Sequence, residues 1–160
     1  FWSDQSNTTG SVKTGYISMK NIQVLTDYLS AIEAQYGKAG GSIRVILGEL
    51  GYTARKGNAS QESLQAAALG YGYYIAMFNT RIDSYIIRAY LDDPAETKDS
   101  LYLGLMDSSH GRKASYEVYK NLDTDRSLQY MNPYLQTVGL DSWESAITGF
   151  RADALPASDF

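Results

Sequence analysis

The chain has 160 residues, 44% of them apolar and 20% charged, with a formal net charge of −4 and a pI near 4.9. That suffices for one domain with its own core. No apolar run reaches the length of a membrane span, and an acidic chain without a Lys/Arg cluster is a poor partner for nucleic acid or an anionic membrane. Cysteine is absent and His110 is the single histidine, which excludes a disulfide framework, a thiolate or two-histidine metal site and a cysteine nucleophile.

Phe1 to Gly15 is rich in Ser, Thr, Asn and Gly and reads as a loop, in which Trp2 is either an anchor or a ligand-facing ring. A start at Phe1-Trp2 without Met, and without a charged and apolar signal segment, suggests a trimmed product. Ser18 is a suitable N-cap for a helix over Met19 to Tyr36. Ile22, Leu25, Leu29, Ile32 and Tyr36 make its core-facing stripe, and Gly37 its stop.

Ile43 to Leu47 is a short apolar run rich in β-branched residues, as in a parallel strand buried on both faces. Gly48 and Gly51 bracket Glu49, so a carboxylate sits where the strand ends. It is either a turn residue bonded to nearby backbone amides or a group put to chemical use. A phosphate-binding turn is a weak alternative, since Gly48-Glu-Leu-Gly51 offers two glycines, no P-loop lysine and an anion where a phosphate would sit.

Ser60 then caps a second expected helix, Gln61 to Asn79, with the stripe Leu64, Ala68, Tyr71, Ile75 and Phe78. Its Ala66 to Ala68 run with Gly70 and Gly72 thins one side for close packing on a sheet. Ile82 to Tyr90 is the next expected strand. Strand, helix, strand is the βαβ unit, whose strands run parallel. Glu49 would thus emerge at the same end as Arg88, Asp92, Asp93 and Glu96, with Asp83 at the opposite end.

Further on come an extended piece at Leu101 to Leu105, a turn at Asp107 to Gly111 holding His110, and a helix over Lys113 to Leu122 with Tyr116, Tyr119 and Leu122 inward. Two short helical pieces follow, Asp125 to Gln136 and Ser142 to Phe150, anchored by Leu140, Trp143, Ile147 and Phe150, and then a loose tail from Arg151. The 14 tyrosines suit surfaces that are both wet and adhesive, sugar-stacking clefts among them.

The element order resembles the last part of a (β/α)8 barrel. The segment Val45-Ile-Leu-Gly-Glu-Leu-Gly-Tyr52 resembles the seventh strand of clan A glycoside hydrolases, where a strand-end Glu is the nucleophile. Three other stretches are similar to the C-terminal part of a bacterial, glycosidase-like barrel family of unknown function. These are Ala66 to Tyr71, Ile82 to Glu96, and Leu103-Gly-Leu105 with Lys113 to Lys120. The likeness spans roughly residues 17 to 123.

It implies an α/β chain forming the last two to three β/α units of a TIM barrel over residues 1–150, acting on carbohydrate, secreted or at the cell surface, and needing no cofactor or metal. It makes Glu49 the nucleophile and places Arg88, Asp92, Tyr52 and Tyr90 as substrate contacts. Tyr85 or Tyr90 stands where many members carry a strand-eight Trp. The general acid of such barrels lies on the fourth strand, which would precede Phe1. Within this chain only Asp92, Asp93 or Glu96 could replace it, so the 160-residue piece is expected to be inactive alone. Unpaired strand edges also predict self-association or pairing with the rest of the barrel. The competing reading is a non-enzymatic α/β module that binds sugar or protein through its tyrosines.

Overall fold

Ser18 opens the first element. Its side chain accepts from the Lys20 amide while Asn21 Oδ1 accepts from the Ser18 amide, a capping box that starts a 3-10 turn, Met19–Asn21. In this computed structural model, which describes residues 13–156, α1 (Gln23–Gln35) follows that turn instead of forming one unbroken helix. Trp2 lies outside the described residues. Gly37, at φ +62°, ends the helix as expected.

The buried side of α1 is Ile22, Val24, Thr26 and Glu33, whereas Tyr36 is exposed. A charge replaces the apolar residue at the inner end because it has work there. Glu33 accepts from the Gly41 and Ile43 amides at 2.9 and 2.6 Å and from Ser42 Oγ at 3.1 Å. It also pairs with Arg81 at 2.6 Å. Arg81 in turn donates to the Ile43 carbonyl and to Ser30. One buried ion pair thereby fastens α1 to the chain just ahead of two strands. Hydrogen bonding from Arg81 and the Ile43 amide outweighs the cost of burial and holds the Glu33 carboxyl far below its usual range.

Those strands, β1 (Val45–Leu50) and β2 (Ile82–Ile87), are parallel and joined by α2 (Ala59–Met77). The βαβ unit is as the sequence predicts, with the cap of α2 moved to Asn58, whose side chain accepts from the Gln61 amide. Gln65 to Gly72 is buried throughout, but Leu64 of the expected stripe is exposed. A β-carbon on Gly72 would stand 2.6 Å from the Tyr85 hydroxyl, and one on Gly70 would strike Met131. The thin side of α2 is therefore required by contact.

Beyond a bend at Arg88, β2 continues as β3 (Ala89–Leu91), which pairs in parallel with β4 (Gly104–Met106). The Arg88 amide donates to the Leu50 carbonyl and the Asp92 amide to the Met106 carbonyl. Amides an even number of residues apart point to the same strand edge. So β4 takes over the edge that β1 leaves, and the connection between β3 and β4 is a loop with only a 3-10 turn, Glu96–Asp99.

The core lies on the α2 side of this sheet. Ala66, Leu69, Tyr71 and Tyr74 of α2 meet Leu105, Val118, Leu122, Met131, Trp143, Ile147 and Phe150. Those last residues come from β4, α3 (Ala114–Asn121), α4 (Ser127–Met131), α5 (Trp143–Ala146) and the turns after it. Trp143, Ile147 and Phe150 are the expected anchors, whereas Tyr119 points outward. Burial pushes the Tyr74 phenol up to about 12, and its hydroxyl shares a hydrogen bond with Ser127 at 2.8 Å. The expectation of a strand buried on both faces is not met, since Ile46 is 67% exposed and Ile86 50%. An apolar run shows that a strand can be buried and leaves open which face is covered. No helix among the described residues is long and apolar enough to cross a membrane.

Candidate functional site

Glu49 sits on a β-bulge. Leu47 faces Tyr85 and Leu50 faces Ile87, so β1 carries one residue more than β2 over that span. The surplus residue takes the left-handed conformation at φ +57°, although glycines stand at 48 and 51. The bulge turns the Glu49 side chain outward at the C-terminal end of the parallel strands, where it is 77% exposed and its Oε1 lies 3.1 Å from Arg88 Nη1. The other terminal nitrogen of Arg88 holds Glu96 Oε1 at 2.5 Å. The guanidinium is thus flanked by two carboxylates, and Glu96 first, then Glu49, raise its pKa.

Burial alternates along this strand, with Ile86, Arg88 and Tyr90 all on the open side. Tyr90 leans on Tyr116 with ring centroids 6.2 Å apart. The hydrogen bond to Tyr116 and partial desolvation raise the Tyr90 phenol above its usual value. Glu49, Arg88, Glu96 and Tyr90 therefore share one wet surface at the mouth of the sheet, and for Glu49, Arg88 and Glu96 the order of elements in the sequence predicts that shared end.

Two other expected contacts lie elsewhere. Asp92 is buried, and its Oδ1 accepts from Lys113 Nζ at 2.7 Å and from the Gly104 amide at 2.8 Å. Lys113 also donates to the Tyr102 carbonyl, so this pair ties β3, β4 and the start of α3 together and leaves Asp92 no open face for a substrate. Tyr52 is turned to the helix side, where its hydroxyl lies 3.4 Å from that of Tyr85 and its carbonyl accepts from Gln65 at 2.7 Å. Asp93 accepts from the Ala95 amide at 2.7 Å within its own turn. Asp83 pairs with Arg44 at 2.5 Å near the N-terminal end of the strands. His110 is exposed in its turn.

Several polar ties escape a reading by motif. Glu62 accepts from Lys56, from the Gly57 amide at 2.8 Å and from the Ala114 amide at 2.9 Å, capping α3 from α2. Burial raises its pKa, yet the two amides and Lys56 outweigh this and leave it lowered. Gln65 reaches the carbonyls of Tyr52 and Gly104 and accepts from Ser115. Their signal was polarity on an otherwise apolar helix. Among the described residues, no group of three acidic or histidine side chains is gathered as a metal ion would need.

A family model described as a family of unknown function, DUF5722, matches residues 1–146. No curated protein and no solved structure matches the chain. The chain belongs to this family of unknown function.

Proposed function

We propose that the chain is the closing portion of a glycosidase-like (β/α)8 barrel that acts on carbohydrate, with Glu49 as its nucleophile. The observation that carries the reading is the bulge. It spends an unfavourable backbone conformation on a carboxylate at the mouth of parallel strands and sets a guanidinium 3.1 Å away. Retaining hydrolysis needs a second carboxyl group about 5 to 5.5 Å from the first, one attacking the anomeric carbon and the other protonating the leaving oxygen. The chain's own candidates are engaged: Asp92 by Lys113, Asp93 by its turn and Glu96 by Arg88. The proton donor is thus proposed to come from barrel strands outside these 160 residues, and Tyr90 to supply an apolar ring beside the reacting sugar. Secretion or display at the cell surface belongs to the same proposal.

Aryl glycosides test it. The 160-residue chain alone is expected to show no turnover, and the protein carrying the remaining barrel strands to show turnover that falls about 1,000-fold or more in Glu49→Gln. A rate unchanged by that substitution would remove Glu49 from the chemistry.

A further inference from the structure

Past Tyr90, the open surface continues onto a side chain that the proposed chemistry does not use. Arg112 lies with its Cζ 4.4 Å from the centre of the Tyr116 ring, the ring that meets Tyr90. Its backbone is fixed twice. Met106 and Arg112 form an antiparallel bridge at the end of β4, and Asp107 closes the turn between them by accepting from the Ser109 and Gly111 amides at 2.9 and 2.7 Å. Arg112 therefore leaves the sheet at the same end as Glu49 and Arg88.

The surface is polarised. Carboxylates cluster at one end, where Arg88 is already occupied by Glu49 and Glu96. Tyrosine rings lie in the middle, and at the other end stands a guanidinium with one long contact, 3.4 Å to Glu117, both side chains being largely open to water. A solvent-screened pair of that kind is readily exchanged. Glu117 shows what Arg112 takes, a carboxylate approaching one terminal nitrogen.

Resting on the carbohydrate reading, the geometry points to an acidic-sugar subsite. A uronate residue stacks against the exposed Tyr90 ring, beside the Arg112–Tyr116 pair, and places its carboxylate on Arg112, displacing Glu117. Arg112 is thereby a specificity-determining residue, selecting anionic over neutral sugars through a planar two-donor fork. The carboxylates at the Glu49 end repel the same group and fix which way round the sugar lies.

Calorimetric titration of the chain with trigalacturonate, and with the same trisaccharide after its carboxyl groups are reduced to alcohols, decides the matter. The acidic form is expected to bind about tenfold or more tightly than the neutral one, as charge-assisted hydrogen bonds imply. Arg112→Ala should erase that preference, and Glu117→Gln, which removes the internal competitor, should tighten the acidic form alone. Equal or preferential binding of the neutral trisaccharide, or a preference indifferent to both substitutions, overturns the subsite and leaves the carbohydrate reading standing. Failure of both trisaccharides to bind also overturns the subsite, while the carbohydrate reading stands or falls separately on the aryl glycoside turnover of the protein that carries the remaining barrel strands.

Discussion

Glu49 holds a backbone conformation that glycine adopts without penalty, at a point where glycines stand nearby on both sides. For an L residue with a side chain the left-handed region costs about 1–2 kcal/mol. Its exposed pair with Arg88 returns only part of that. Glu49→Gly is therefore expected to raise unfolding stability by about 1 kcal/mol in urea titration while abolishing any chemistry that needs the carboxylate. A loss of stability would mean that the carboxylate holds the bulge. Glu33 gives the opposite kind of prediction. Its folded pKa is depressed, so its contribution is present in full above the ordinary value of 4.5 and disappears as pH falls through and below it. Glu33→Gln should lower the melting temperature at neutral pH and lose less than the parent on going to about pH 3, measured by thermal unfolding at both.

At the scale of elements, the helices and the parallel βαβ unit were legible because caps, stops and apolar spacing act locally. Ser18, Gly37 and the Gly70/Gly72 pair each announce what they do. Glu33 and Asp92 were not legible, because a buried carboxylate is recognised by partners such as Arg81 and Lys113 that lie far off in sequence. The site divided in the same way. That Arg88 meets Glu49 at one end follows from the parallel order of strand, helix and strand, whereas the inward placement of Tyr52 and Asp92 depends on which side α2 and α3 occupy. The β3–β4 pair shows how close the fit becomes. A β-carbon on Gly104 would press on the amide of Asp92 and the carbonyl carbon of Leu91, and would come 2.6 Å from the Met106 carbonyl oxygen. Backbone cannot yield as a flexible side chain can. Gly104→Ala should cost about 3 kcal/mol in urea unfolding, the upper part of the overpacking range.

For the molecule as a whole, the sheet has one face against α2 and another where Ile46, Ile86 and Tyr90 meet water. Apolar side chains gathered on an open sheet face favour association. The double substitution Ile46→Lys, Ile86→Glu is expected to reduce self-association in sedimentation velocity with little change in unfolding stability. A steep loss of stability would instead show that these side chains are covered in solution.

The transfer of one strand's edge from β1 to β4 makes Arg88 the joint between two strand pairs that share the α2 core. The first is closed through the long α2 crossover, the second through a short loop and the Asp92–Lys113 pair. Amide protons of β2 and β3 should consequently be released together, in the opening event that exposes the shared core. The residue that grips both acidic groups is also the joint between the strand pairs, so loosening of the common core is felt at the mouth of the sheet.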